Sequence, residues 1–206
     1  MSRIVVGIID YGAGNLTSLQ RALYSLGYRC RVASEPAVLD QTDVLMLPGV
    51  GAFGAAMAEL NRSGLSGYIQ DQAKLERPII GICLGMQLLA DSSEEHGFNA
   101  GLGLIPGSVV QLSQGRSHIG WNDLEVINFS SPLNVVNGKA FYFNHSFEFK
   151  APAEYCLAVA RLHQCTDPIV IGVQHGSMLG LQFHPEISQS AGRQLLSSVI
   201  NDLCCA

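Results

Sequence analysis

The segment Ile79-Ile80-Gly81-Ile82-Cys83-Leu84-Gly85-Met86-Gln87-Leu88 decides how the rest of the chain is read. It begins as an apolar run rich in β-branched residues, passes through Gly-x-Cys-x-Gly, and continues with residues that favour helix. A strand that turns directly into a helix needs a corner so tight that only glycine fits on either side of the central residue. Such a corner holds the Cys83 side chain at the carboxyl end of the sheet, where open α/β sheets gather ligands. It also sets the sulfur at a helix start, where the dipole and free N–H groups favour thiolate. The Leu84 N–H would then point toward the oxygen of a tetrahedral intermediate. A lone Cys is most often a small core hydrophobe. Glycines on both flanks of a strand-to-helix corner argue for a nucleophile instead.

Upstream of this segment the chain alternates strand and helix. Residues 4–9 form a continuous apolar run, as a parallel strand buried on both faces should. Leu19, Leu23 and Leu26 fall at helical spacing and predict a helix over 17–26, stopped by Gly27. Strands are expected over 28–32, 44–47 and 78–82, with helices over 52–60 and from 84 to 90. Downstream, strands over 109–112, 123–126, 140–143, 157–161, 169–174 and 179–183 follow one another, separated by turn signals such as Asn137-Gly138 and His175-Gly176. These read as antiparallel, and a helix over 190–203 closes the chain. The pattern predicts a single domain over 1–206: an α/β three-layer sandwich with a mainly parallel central sheet and antiparallel strands in its C-terminal half.

Composition excludes several classes of function. The chain has 206 residues, a length that suits one domain. A net charge of −5 with no basic run speaks against nucleic acid as a partner. No apolar stretch reaches the roughly 18 residues of a membrane helix. Met1-Ser2-Arg3 leads straight into a segment too short for a signal peptide, so a cytoplasmic protein is expected. In that compartment the six Cys read as thiols, and without a C-x-x-C spacing they suggest neither a disulfide framework nor a metal site. No cofactor is called for. Charged residues make up only 14% of the chain, against about a quarter in ordinary domains, which points to a surface partly covered by a partner.

A thiol nucleophile needs a base, and the base needs an orienting group. Gly180-Leu181-Gln182-Phe183-His184-Pro185-Glu186 offers both: an apolar strand delivers His184 at its end, and Glu186 follows two residues later. Pro185 fixes φ between them. His184 would hold the thiol proton and later protonate a leaving amine, while Glu186 would select the tautomer. A third segment, Leu47-Pro48-Gly49-Val50-Gly51-Ala52-Phe53-Gly54, follows another parallel strand and should reach the same sheet edge. It lacks the Lys-Ser/Thr of a phosphate loop. It reads either as a plain strand-to-helix turn or as a loop that donates N–H groups to an oxyanion or cradles a substrate.

Taken together, residues 81–89 and 180–186, with the chain order Cys, His, Glu, resemble the class I glutamine amidotransferases. The likeness narrows on Ile9-Asp10-Tyr11-Gly12-Ala13-Gly14-Asn15-Leu16, on Pro48–Phe53, on His118-Ile119-Gly120-Trp121-Asn122 and on Phe141-Tyr142-Phe143-Asn144-His145-Ser146. These look like the glutaminase subunit of imidazole glycerol phosphate synthase, from near residue 4 to near residue 200. The resemblance implies a flavodoxin-like fold and a substrate, glutamine, whose side-chain amide Cys83 attacks to give a γ-glutamyl thioester, with His184 and Glu186 completing the triad. It implies oxyanion donors at Leu84 and Val50, the latter switched by the partner, and glutamine contacts at Gly49, Gly51, Gln87, His145, Ser146 and Phe147. It further implies a heterodimer with a barrel-type cyclase or synthase subunit, met by Asn15, Trp121 and Ile187. That subunit would receive the ammonia and form imidazole glycerol phosphate together with the purine-pathway carboxamide ribotide. His145 read from its residues alone could simply cap a strand, and Trp121 could be core.

The chain departs from the family pattern in places. Ile187-Ser188 stands where Lys-Ser is usual, Phe147 where Tyr is usual, Ser117 where Pro is common, and Tyr155-Cys156 where Tyr-Gly is common. None removes the triad. Two touch the expected partner surface and leave room for a paralogue that supplies ammonia for cell-surface sugar amidination. An inactive, synthase-binding scaffold is the non-enzymatic alternative.

Overall fold

The computed structural model describes residues 4–112, 117–162 and 167–205. Met1 to Arg3, Cys165 and the Cys205 side chain lie outside the described residues. The N-terminal half runs β1 (Val5–Ile9), α1 (Leu16–Ser25), β2 (Arg29–Ala33), α2 (Pro36–Leu39), β3 (Val44–Gly49), α3 (Phe53–Arg62), α4 (Leu65–Lys74), β4 (Ile79–Cys83) and α5 (Leu84–Leu88). The C-terminal half runs β5 (Ser92–Ser93), β6 (Asn99–Ala100), β7 (Ser108–Gln111), β8 (His118–Asp123), β9 (Glu125–Val126), β10 (Ala140–His145), β11 (Phe147–Lys150), β12 (Cys156–Ala160), β13 (Ile169–His175), β14 (Met178–Leu181) and α6 (Gln189–Cys205).

Eight strands form the main sheet in the order β2-β1-β3-β4-β14-β13-β12-β9. The contiguous block from β2 to β14 is parallel, and the pairings from β14 to β9 are antiparallel. The fully buried runs of β3, β4, β12 and β14 are what a sheet covered on both faces requires, while the edge strand β2 keeps exposed residues. Alternate residues of β1 feed opposite layers: Val6 and Ile8 pack with Leu19 and Leu23 of α1 and Leu195 and Val199 of α6. Ile9 packs with Phe53, Met57 and Leu60 of α3 and with Ile69 of α4. Each such aliphatic side chain contributes about 1.5–3 kcal/mol when fully buried. Among the described residues no helix is long and apolar enough to cross a membrane.

The structure corrects the expected pairing of the segment 179–183. β14 is antiparallel to β13 but parallel to β4, in the register Leu181↔Ile82. The cause is the tight return at Gly176, whose φ of 57° reverses the chain after β13, so β14 runs in the same sense as β4. This pairing carries His184 out at the same sheet edge as Cys83. The expected strand over 123–126 is divided. β8 ends at Asp123 and pairs with β10, whereas β9 pairs with β12 at the edge of the main sheet. Buried Leu124 marks the crossing between them. The short α2, the helix α4 and the strand β11 were not anticipated.

Candidate active site

Cys83 ends β4 with φ 55° and ψ −113°, an unusual conformation for a residue with a side chain. Such backbone strain costs on the order of 1–3 kcal/mol and persists only where the surroundings enforce it. Here they do. A Cβ on Gly81 would sit 2.6 Å from the Gly85 carbonyl oxygen, and one on Gly85 would sit 1.7 Å from that of Leu47. The flanking glycines are therefore required by close packing of backbone. α5 has only five residues, shorter than the helix expected from 84 to 90. Its influence on the sulfur comes from the free N–H groups of one turn.

β3 ends beside β4 in the register Gly49↔Cys83, so the loop from Val50 onward begins beside Cys83. Gly49 is locked: a Cβ there would lie 2.7 Å from the Tyr11 hydroxyl and 2.9 Å from Gly85 N. The Tyr11 hydroxyl donates to Pro48 O at 2.9 Å. Burial, followed by the nearby Cys83 charge, raises the Tyr11 pKa and keeps this donor protonated. A Cβ on Gly51 would meet nothing within 4 Å, but its φ of 100° favours glycine.

The second strand end supplies the candidate base. His184 Nδ1 lies 2.8 Å from Glu186 Oε1, with side-chain exposures of 10% and 4%. With Nδ1 engaged, Nε2 is the nitrogen left for the Cys83 sulfur. Burial alone would lower the His184 pKa. Hydrogen bonds with Cys83 and Glu186, and the charges of both, outweigh it and push the value up to about 10. His184 is thus an imidazolium at neutral pH, suited to stabilise a thiolate and to give a proton to a leaving amine. The Cys83 thiol can also donate to Asn144 O, 3.8 Å away. Ser188 fixes the turn: its hydroxyl donates to His184 O at 2.6 Å and accepts from Tyr142 N at 3.0 Å.

These groups open on a cavity of about 250 Å³. Val50, Gly51, Leu84, Gln87, His145, Ser146 and Phe147, all expected at the site, line it with Cys83 and His184. Gly49 does not line this cavity; it faces a small void that Asn15 and Glu186 also border. Asn15, Trp121 and Ile187 lie outside the main cavity and are exposed. Trp121 is thus a surface residue, its ring edge-on to Tyr142 at 6.0 Å.

The sequence reading missed Glu95, which lines the cavity and accepts from Phe53 N at 2.6 Å, capping α3 where Ala52 has no side chain to do so. Nothing in the sequence around 92–97 separates Glu95 from an ordinary surface carboxylate; only the fold brings it there. Gln182 was also missed, although a polar residue inside an apolar strand is a signal. It is fully buried and accepts from Gln87 Nε2 at 3.0 Å.

A family model described as "Glutamine amidotransferase class-I" matches residues 7–201. The chain belongs to the class-I glutamine amidotransferases. Among curated relatives of this amidotransferase, the imidazole glycerol phosphate synthase subunit HisH of Halalkalibacterium halodurans is 41% identical over 202 residues, covering 93% of each chain. The HisH subunit of Listeria monocytogenes serotype 4a is 39% identical over 196 residues, again covering 93% of each. Among solved structures, PurLQS from Thermotoga maritima superposes with a TM-score of 0.77 at 22% identity, covering 98% of this amidotransferase and 100% of that chain. A glutamine amidotransferase from the same organism gives 0.70 at 17% identity over the full length of both. At these identities the two structures establish the shared fold. As a class-I amidotransferase, the protein is a glutaminase.

Proposed function

We propose that the protein is the glutaminase subunit of an imidazole glycerol phosphate synthase and that Cys83, His184 and Glu186 perform its chemistry. The observation that carries the reading is the buried His184–Glu186 pair at 2.8 Å, aimed at a nucleophile on a strained elbow. The Cys83 thiolate attacks the side-chain amide carbon of glutamine. The Leu84 and Val50 N–H groups receive the oxyanion. His184 gives its proton to the departing nitrogen, which leaves as ammonia and a γ-glutamyl thioester remains. Neutral His184 then takes a proton from water as it attacks the thioester. Glutamate leaves and the thiolate–imidazolium pair returns.

Both Gln87 amide hydrogens are engaged within the protein, on Phe147 O at 3.1 Å and Gln182 Oε1 at 3.0 Å. Gln87 therefore offers the cavity an acceptor, and Glu95 offers a carboxylate. The two suit the α-ammonium of glutamine. Val50 at the cavity, Ile119 and Trp121 on β8, and Ile187 next to Glu186 are exposed apolar side chains. They favour a partner that covers the site and takes up the ammonia, and the likeness to relatives named as synthase subunits supports a barrel-type cyclase in that place. A test combines the chain with such a cyclase and assays both glutamate and imidazole glycerol phosphate. Cys83→Ala should abolish both when glutamine is the nitrogen source, while added ammonium should restore the second. Residual glutamate formation by this variant would remove the assignment of Cys83. Glutamate formation without any coupled synthase product would move the ammonia to a different acceptor.

A further inference from the structure

β8 and β10 are antiparallel in the register His118↔His145, which makes the two imidazoles cross-strand neighbours. His118 Nδ1 lies 3.0 Å from His145 Nε2, and the His118 ring stacks on Phe143 at 4.4 Å. On its other side, His145 Nδ1 lies 2.7 Å from Phe147 O. A carbonyl only accepts, so His145 Nδ1 carries a hydrogen. Burial, opposed by the Phe147 hydrogen bond and aided by the charges of His118 and His184, lowers the His145 pKa to about 4. Burial likewise lowers that of His118 to about 4. Both rings are neutral near pH 7. His145 Nε2 is then bare and accepts, and the hydrogen between the rings belongs to His118 Nδ1. The direction of every bond is settled: His118 donates to His145, and His145 donates to Phe147 O.

Phe147 O is also the acceptor for Gln87 Nε2. The same carbonyl thus receives the donor chain from β8 and fixes the side chain that turns its oxygen to the cavity. We propose that His118 is a positioning residue for glutamine: by donating from Nδ1 it holds His145 in the tautomer that anchors Phe147 O and, through it, Gln87. The proposal rests on the glutaminase reading of the cavity. It assigns a task to a half-buried histidine that touches no reacting atom. Without the donor, the His145 Nε2 lone pair loses the partner that favours it over an Nε2–H, and the choice of tautomer rests on the Phe147 bond alone.

The test uses His118→Phe, which keeps a ring against Phe143 but removes the donor, and His118→Asn, whose amide can return an N–H near the Nδ1 position. Long-range 1H–15N spectra of histidine-labelled protein at pH 7 report the His145 tautomer. Steady-state glutamine hydrolysis with a barrel-type synthase subunit present reports KM and kcat. The wild type should show one neutral tautomer, protonated at Nδ1. His118→Phe should populate the other tautomer and raise KM on the order of tenfold, with a much smaller change in kcat. His118→Asn should recover most of both. An unchanged His145 tautomer in His118→Phe, or a fall in kcat at constant KM, overturns the proposal. Should His118→Phe fail to fold, a wild-type His145 that is charged or protonated only at Nε2 still overturns it. A wild type with the expected tautomer but no glutamine hydrolysis overturns the reading of the cavity instead.

Discussion

His184 and His145 line the same cavity, are 8% and 7% exposed, and each engages through Nδ1 a group two residues further along the chain. The acceptor for His184 is the Glu186 carboxylate at 2.8 Å, and that for His145 is the neutral Phe147 carbonyl at 2.7 Å. At Nε2 the contrast repeats, with an ionisable sulfur beside one and a neutral imidazole beside the other. One value rises to about 10 and the other falls to about 4. Surface exposure and hydrogen-bond length are nearly equal, and the deeper enclosure of the His145 ring adds to its fall. The charge of the partners divides the two histidines: desolvation penalises the cation at both sites, the Phe147 carbonyl opposes it only in part, and the ionisable partners of His184 outweigh it. A single cavity thereby holds one histidine that is charged near pH 7, the proton carrier of the proposed reaction, and one that stays a neutral, fixed dipole.

The most direct way to break this contrast is Glu186→Gln, which gives His184 a neutral acceptor like that of His145. Glutamine kcat/KM should fall on the order of 10²- to 10⁴-fold, and the His184 pKa should drop toward its ordinary value in an NMR titration. Activity within about threefold of the wild type would show that the carboxylate charge is not the divider.

The two histidine environments should also pull stability in opposite directions with pH. His184 has its pKa raised above the ordinary 6.5, so its contribution is fully present below pH 6.5 and is lost as pH rises toward about 10. His145 and His118 have theirs lowered, so the unfolded chain binds more protons and stability is lost as pH falls from 6.5 toward about 4. Urea unfolding midpoints across this range should show that His184→Gln flattens the alkaline slope alone. Replacing His118 should ease the acid slope alone. Equal effects of either variant on both limbs would contradict the opposed shifts.

Smaller effects sharpen the neutral side. Gln182→Leu removes one acceptor of Gln87 and should raise the glutamine KM by about three- to tenfold with kcat largely kept; a kcat loss without a KM change would place Gln182 elsewhere in the mechanism. Ser188→Ala cuts the hydroxyl that joins Tyr142 N, on the strand of His145, to His184 O. It should lower folding stability by about 1 kcal/mol, measured by denaturant unfolding, and change the rate modestly.

The elbow was legible because its cause is local. Gly81 and Gly85 are demanded by backbone atoms within the strand, the corner and the neighbouring strand end, and such demands leave glycine in the sequence. The parallel strands were legible for the same reason: burial on both faces leaves unbroken apolar runs. α4 was not, since only Leu65 and Ile69 of its ten residues are buried and the pattern is correspondingly faint. Glu95 was not, since its place depends on how the β5–β6 hairpin meets the start of α3.

The sequence by itself pointed to Cys83 as the proposed nucleophile, to His184 and Glu186 as its proposed partners, and to the alternating layers that hold them, because each leaves a short-range signature of spacing or hydropathy. It did not determine which histidine would be charged. His145-Ser146-Phe147 and His184-Pro185-Glu186 each place a Nδ1 partner two residues ahead. His118 arrives opposite His145 only through the β8–β10 register, and Cys83 beside His184 only through the β4–β14 pairing. Proton affinity depends on charges within a few ångströms whatever their distance along the chain, so tertiary structure decided it.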